Sequence, residues 1–272
     1  METKQKPEVY HQESQYAENL PEKQEEYPVG IKNSNDYSHQ SEEDAYIHAQ
    51  MRIGFIKKVF GIVFAQLSFT FLCVLLFQIN IIKSVLMKHE QLVGSSVLFS
   101  AIAFMVIYFI LVCNRKLGRT VPYNYLILGA ITILETIVCS SISMIYSIDV
   151  VLISLLLTIV SAGAIILYAF KTKKDFTTFG LVLWVLMSQL IMVGILRLFI
   201  RSQFIRVFYC LFGTLVVGMY LVYDVQLIAG KVGLAYEVDD YILAALELYI
   251  DIIRLFLEIL RIVGAVMNNK RN

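Results

Sequence analysis

Seven long apolar runs occupy most of this chain, and they constrain its fold more than any other feature. They cover residues 59–82, 93–113, 123–146, 150–170, 179–200, 207–229 and 241–266. A helix rises about 1.5 Å per residue, so each run is long enough to cross a hydrocarbon core of about 30 Å. None of the runs alternates polar and apolar residues over its length, and backbone groups in lipid must be satisfied internally, which favours helices. The runs predict an all-α membrane protein with seven transmembrane helices.

Composition and charge separate this membrane domain from the start of the chain. The sequence is 58% hydrophobic and 17% charged, against about 45–50% and about 25% in an ordinary globular domain. Residues 1–50 carry a net charge of −7, and residues 51–272 carry +8. The acidic segment has too few aliphatic residues to offset the entropy of ordering. We therefore predict a disordered acidic tail over 1–50 and a transmembrane domain over 51–272, and neither a soluble enzyme nor a nucleic-acid binder.

The loop charges predict an orientation for the membrane domain. With a cytoplasmic N-terminus, ten Lys and Arg residues lie inside and seven lie outside, which agrees with the positive-inside rule. A C-terminus on the inside would make the split twelve to five, but the last run would then be re-entrant. The side of the C-terminus stays open. The acidic N-terminus has no apolar signal region, so we expect the first helix to direct insertion.

The cysteines and histidines give no indication of a cofactor. The four histidines lie outside the apolar runs, which disfavours His-dependent catalysis or metal binding within the bilayer. The cysteine spacing fits neither a disulfide framework nor a zinc site. We expect no cofactor and no enzymatic activity, and we predict that the cysteines are small buried residues. They are Cys73, Cys113, Cys139 and Cys210.

The last apolar run carries five charged residues at helical spacing. They are Glu247, Asp251, Arg254, Glu258 and Arg261. Steps of 4, 3, 4 and 3 residues place them within roughly 80° of arc on a helix. A charge at the bilayer centre costs roughly 2.5–3.5 kcal/mol on insertion scales, so this stripe cannot face lipid. We predict that the C-terminal helix is central, enclosed by the other six.

Two further acids lie at membrane depth, Glu135 in the third run and Asp224 in the sixth. Neighbours along the stripe have ion-pair spacing, but Asp224 is alone in its run and needs a partner from another helix. Two carboxyl groups in a low dielectric cannot both ionise cheaply, so they titrate as one unit. When ionised they form a weak site for a hard cation, because tight calcium binding uses six to eight oxygens. Such a pair suits a proton sensor or a transit site.

The last two runs resemble one known family. They read YDVQLIAGK and DDYILAALELYIDIIRLFLEILRIVG, and three further segments agree: RIGFIKKVFGIVFAQL, RTVPYNY and KTKKDFTTFG. Over residues 51–266 the chain is similar to the Bax inhibitor-1 superfamily, also called the transmembrane Bax inhibitor motif family. Within it, the Lifeguard branch is the most similar.

The resemblance implies a seven-helix fold and a calcium leak that is gated by pH, with protection against cell death. The family's two gating aspartates match Asp224 and Asp251, which would bind Ca²⁺ weakly and transiently. A family arginine that is thought to pair with them falls at or next to Arg115. The membrane would be the endoplasmic reticulum, the Golgi or the plasma membrane. The implied partners are the lipid bilayer, Ca²⁺ and death-signalling or Bcl-2-type membrane proteins.

Four charged residues depart from the family pattern, and some sequence features bear on other functions. Glu135, Glu247, Arg254 and Glu258 are unusual charges for the family and would alter conductance or the gating pH. An intramembrane aspartyl protease would need a Gly-x-Gly-Asp motif, but Asp251 follows Leu-Tyr-Ile. A G-protein-coupled receptor would need Asp-Arg-Tyr and Asn-Pro-x-x-Tyr signatures, which this chain lacks. A proton-coupled transporter and a non-conducting protein that binds death-signalling partners remain alternatives.

Overall fold

A computed structural model describes residues 34–199, 203–230 and 236–269. The chain divides into two units, Met1–Tyr46 and Ile47–Asn272. In the first unit the described residues, 34–46, are helical, so the prediction of a disordered tail over 1–50 is not confirmed. Residues 40–50 contain Gln, Glu and Ala, which have high helix propensity, and they extend a helix that continues into the apolar residues beyond. Residues 1–33 of the predicted tail lie outside the described residues.

The described part of the chain forms nine α-helices. Their bounds are α1 Ser34–Phe77, α2 Asn80–Lys88, α3 Glu90–Cys113, α4 Arg115–Arg119, α5 Tyr123–Ser143, α6 Ile148–Lys171, α7 Gly180–Phe199, α8 Gln203–Ala229 and α9 Tyr241–Asn269. Single 3₁₀ turns precede two of them, Thr177–Phe179 before α7 and Val238–Asp240 before α9.

Six segments of the described helices are long and apolar enough to cross a membrane. They are Tyr46–Phe77, Glu90–Cys113, Tyr123–Ser143, Ile148–Lys171, Thr177–Gly194 and Val207–Ala229. These segments correspond to the first six predicted runs and identify a multi-pass membrane protein. With 29 residues, α9 is also long enough, but its charged stripe lowers its apolar character, so the seventh crossing stays a prediction.

Two helices end earlier than the apolar runs indicated. After α1 stops at Phe77, Gln78 turns inward and its Nε2 donates to the carbonyl oxygen of Ser143 at 2.6 Å. The short α2 follows, without a buried residue. Similarly, α5 stops at Ser143, and the Nζ of Lys83 donates to the carbonyl oxygen of Tyr146 in the loop beyond, at 2.8 Å. Apolar residues continue past α1 because the short α2 is itself apolar on one side, and past α5 they continue into the turn before α6.

The C-terminal helix α9 forms the core of the second unit. All its residues from 241 to 260 are buried except Glu247 and Arg254. It packs against α8, α6 and α5. The hydroxyl of Tyr249 is hydrogen-bonded to Thr70 of α1 at 2.9 Å. This enclosure agrees with the predicted central position, since a helix with a charged stripe is costly to expose to lipid.

The cysteines divide between interior and surface. Cys139 and Cys210 are buried, Cys73 is partly buried and Cys113 is exposed. The prediction of four buried cysteines is therefore wrong for Cys113. The reason is the outward position of α3, whose buried residues are Ser100 and Leu111.

Candidate functional site

Asp224 of α8 and Asp251 of α9 meet inside the helix bundle. Their residues are 7% and 5% exposed, and their carboxyl groups lie within hydrogen-bonding reach of each other. Among the described residues, no donor reaches Oδ2 of Asp251. Two ionised carboxylates repel each other and have no proton with which to form a hydrogen bond. This contact therefore requires a shared proton or a bound cation. The partner that Asp224 lacks on its own helix therefore comes from α9.

A cavity of about 670 Å³ reaches the aspartate pair. Asp224, Glu247, Asp251 and Arg254 supply its charged wall. Side chains of α3 and α7 supply its apolar wall; among them are Phe104, Met105, Phe109, Trp184 and Met187. Three carboxyl groups against one guanidinium give the charged wall an excess of acid. The cavity has the space and the oxygen atoms to admit water and a cation.

Glu247 lines the same cavity as the aspartate pair, about one helical turn before Asp251 on α9. The hydroxyl of Tyr236 donates to Oε2 of Glu247. Arg52 of α1 joins the end of α8 to Tyr236: Nη2 donates to the Leu227 carbonyl at 2.5 Å, and Nη1 donates to the Tyr236 carbonyl at 3.0 Å. Burial, and then the charge of Glu247, raise the pKa of Tyr236 well above its ordinary value. Tyr236 therefore keeps its proton and remains a donor to Glu247.

Arg254 lies between two cavities. It lines the large cavity and also a second one of about 270 Å³ among α7, α8 and α9, which contains Glu258 and Arg261. Nη1 of Arg261 contacts Oε1 of Glu258 at 2.6 Å, an i, i+3 ion pair that the sequence spacing predicted. The charged stripe of α9 thus lines two neighbouring cavities, and Arg254 lines both of them.

The two remaining predicted residues do not contact the pair. Arg115 is exposed on α4, and its charge interacts with Glu247. Glu135 is half-buried on α5, close enough to Arg254 for an electrostatic interaction. Neither residue lines the two cavities described above, and each interacts with the charged stripe through its charge.

Arg119 is a functional candidate that the sequence reasoning missed. Its Nε and Nη2 donate to the two carboxylate oxygens of Asp240 at 2.7 and 2.8 Å, and Nη1 contacts Oε2 of Glu237 at 2.8 Å. The hydrogen bonds to Asp240 raise the pKa of Arg119 above its ordinary value. The signal was present: a basic segment before α5 and an acidic one before α9.

Gln226, two residues after Asp224, was also missed. Its side chain is fully buried. It binds backbone atoms of the loop between α6 and α7. Oε1 accepts from the N–H of Phe176 at 2.8 Å, and Nε2 donates to the carbonyl oxygen of Lys174 at 2.8 Å. The motif YDVQ therefore combines a site carboxyl with the residue that fixes an adjacent loop.

The donor set suits a weak cation site better than a tight one. Within the described ranges, no three His, Cys, Asp or Glu side chains converge in a way that would hold a metal. Asp224 and Asp251 supply four carboxylate oxygens between them, fewer than the six to eight of a tight calcium site.

Comparison with known proteins places the chain in a family. The profile described as "Inhibitor of apoptosis-promoting Bax1" matches residues 52–270. Human protein lifeguard 3 is 29% identical over 219 residues, which is 79% of this chain and 70% of the relative. The Golgi anti-apoptotic protein of vaccinia virus (strain Lister) is 28% identical over 222 residues, 81% of this chain and 88% of the relative.

A relative from yeast agrees with this assignment. Bax inhibitor 1 of Schizosaccharomyces pombe is 29% identical over 223 residues, 82% of this chain and 80% of the relative. The matched region begins at Arg52, which joins the end of α8 to Tyr236, and includes every residue of the site described above. The chain therefore belongs to the Bax inhibitor family of membrane proteins, with relatives among the Lifeguard proteins.

Proposed function

We propose that this protein is a pH-sensitive calcium leak channel of a cellular membrane, and that it modulates calcium stores and suppresses cell death. One observation carries the proposal: the buried contact between Asp224 and Asp251 on a cavity with excess acid. Carboxylate oxygens are suitable ligands for calcium, and two to four of them suit transit rather than storage.

The pair would act as a gate through its shared proton. With one proton, a hydrogen bond between the carboxyl groups of Asp224 and Asp251 joins α8 to α9. Loss of that proton leaves two like charges in a low dielectric, and their repulsion favours separation or a bound cation. Calcium flux is therefore expected to rise with pH over the range in which the pair ionises.

Charged and titratable groups on the surrounding helices would set that range. They are Glu247 and Arg254 of α9, Tyr220 and Tyr223 of α8, Tyr108 of α3 and Glu135 of α5. Arg254 favours the ionised pair, and Glu247 opposes it. This chain would therefore open at a pH that reflects its own set of charges.

The names of the relatives support a role in cell death and suggest a location. One is a Golgi anti-apoptotic protein, and another is Bax inhibitor 1. We extend this to a Golgi or endoplasmic reticulum location, with the plasma membrane as an alternative. The N-terminus would be cytoplasmic, and partners would be death-signalling or Bcl-2-type proteins. The same names also favour a second function, binding of such partners without conduction.

Calcium flux from liposomes that contain the purified protein, measured over a pH series, tests the channel. Asp224→Asn and Asp251→Asn should each flatten the pH dependence, and the double variant should add little because both act on one unit. Asp149→Asn, at the exposed start of α6, is the matched control and should keep the wild-type profile. Wild-type protein without flux at any pH, or a double variant with an unaltered profile, contradicts the channel. A double variant that still protects cells supports the binding function.

A further inference from the structure

The large cavity opens sideways, between α3 and α7. Met105, Phe109 and Trp184 line it and are 70%, 68% and 73% exposed. Each lies within a membrane-spanning segment. α3 packs on α5 and α7 packs on α8, so the opening lies between two helix pairs. The apolar side chains at this opening face the position of lipid chains rather than water.

The opposite wall of the same cavity is acidic. Asp224, Glu247 and Asp251 line it, with Arg254 one turn beyond Asp251 along α9. Oδ2 of Asp251, a residue of this wall, is fully buried and has no donor among the described residues. An acceptor that is buried without a donor is costly, so it marks a position where a donor from a ligand would be favourable.

An apolar opening and an acidic interior match one class of ligand. We propose that this lateral cavity binds single-chain lipophilic primary amines. The ammonium group would donate to Asp251 and to Asp224 or Glu247, and the alkyl chain would leave between α3 and α7 along Phe109 and Trp184. An ammonium has three donors and no acceptor, which suits a wall of carboxylates.

Related amphiphiles lack this complementarity. A fatty acid would place a like charge beside three carboxyl groups, which is unfavourable in a low dielectric. A fatty alcohol has the same chain but no charge to pair with the acids. The volume of about 670 Å³ exceeds the space of an ammonium group and leaves room for the first part of the chain.

Trp184 allows binding to be measured directly, because it is the single tryptophan of the chain and lies at the opening. The wild-type protein in lipid nanodiscs is titrated with dodecylamine carrying bromine at mid-chain. Dodecanol and dodecanoic acid with bromine at the same position are the controls. They measure the quenching that follows from non-specific partition into the lipid. The amine should reach half-quenching at a roughly tenfold lower concentration in the membrane, since hydrogen bonds to charged groups are the strong ones.

Variants test whether the acidic wall causes the preference for the amine over the alcohol. The combined variant Asp224→Asn, Glu247→Gln and Asp251→Asn should bring the amine curve onto the alcohol curve, whereas Asp149→Asn should keep the preference. Equal quenching by amine and alcohol in the wild type overturns the proposal. So does a preference that survives the triple variant, provided that its thermal unfolding shows a folded protein.

The binding site depends on the proposed channel function only where it predicts that the ligand lowers calcium flux. A bound amine occupies the oxygens that a leaking cation needs, so it should lower calcium flux at the same concentrations that quench Trp184. A protein that passes no calcium would refute the channel, while the quenching preference would still decide the binding site. Quenching without any preference would refute the site, whatever the flux.

Discussion

Arg119 donates to both carboxylate oxygens of Asp240, at 2.7 and 2.8 Å, and so joins α4 to the turn that precedes α9. Nearby, the Nδ2 of Asn124 donates to the hydroxyl of Tyr241 at 3.0 Å. These contacts fix the first residue of α9, and Glu247 follows less than two turns later. The position of the charged stripe along the bundle therefore depends on a bidentate pair outside the membrane-spanning segments.

We expect Arg119→Lys and Asp240→Asn each to lower the melting temperature of the purified protein. A lysine cannot reproduce the two parallel hydrogen bonds of a guanidinium. Because both changes break the same contact, the double variant should lose much less than the sum of the single variants. Lys116→Gln, an exposed cation on the same helix, is the control and should leave the melting temperature unchanged. Additive losses would show that the pair does not act as one contact.

Gln226→Leu should loosen the loop between α6 and α7. It leaves the N–H of Phe176 and the carbonyl of Lys174 without their partner, at a cost of about 1–3 kcal/mol for each group that stays buried. Trypsin should then cleave faster after the lysines at 171, 173 and 174, as measured by mass spectrometry over time. Gln91→Leu, at an exposed position of α3, should leave this cleavage unchanged. Equal cleavage in the Gln226 variant would mean that other contacts hold the loop.

Gly230→Ala should destabilise the protein, because Gly230 ends α8 with φ of +69°. A left-handed conformation costs a residue with a Cβ about 1–2 kcal/mol. The added Cβ would also lie 2.8 Å from Nε of Arg52, which joins the end of α8 to Tyr236. Gly61→Ala is the matched control, since its Cβ meets nothing within 4 Å in α1. Chemical unfolding in detergent should show a loss for the first variant and none for the second.

The sequence predicted the helices because apolar length and backbone satisfaction leave few alternatives in a membrane. It also predicted the enclosure of α9, since five charges on one face are costly in lipid. It did not predict the end of α1 at Phe77, because that end depends on the contact of Gln78 with Ser143, 65 residues away. The sequence did not predict the helical residues 34–46, because the few aliphatic residues there indicated disorder and helix propensity was not considered.

Part of the candidate site was predicted from the same cost of placing charge in a membrane. Asp224 and Asp251 were identified from their positions in apolar runs, where a lone acid needs a partner. Arg119 and Gln226 were missed because neither residue type is unusual where it occurs in the sequence. Their importance comes from partners far along the chain, at separations of 121 and 50 residues. The opposite charges before α5 and α9 indicate that an ion pair is possible, but only the packed helices determine which residues form it.

Arg254→Gln should raise calcium flux, because Arg254 lines both cavities and its charge opposes a cation that moves from one to the other. A unit charge about 4 Å away opposes a cation by about 4 kcal/mol at an effective dielectric of 20, and hydration reduces this effect to an increase in flux on the order of tenfold. Arg254→Lys keeps the charge and should stay near the wild-type flux. Because Arg254 also favours the ionised pair, both variants are compared in liposomes at a pH on the upper plateau of each flux profile, with equal protein per vesicle. Unfolding curves establish that each variant is folded. Flux that falls in the Gln variant, or rises equally in the Lys variant, would mean that Arg254 supports the aspartate pair rather than obstructing the route.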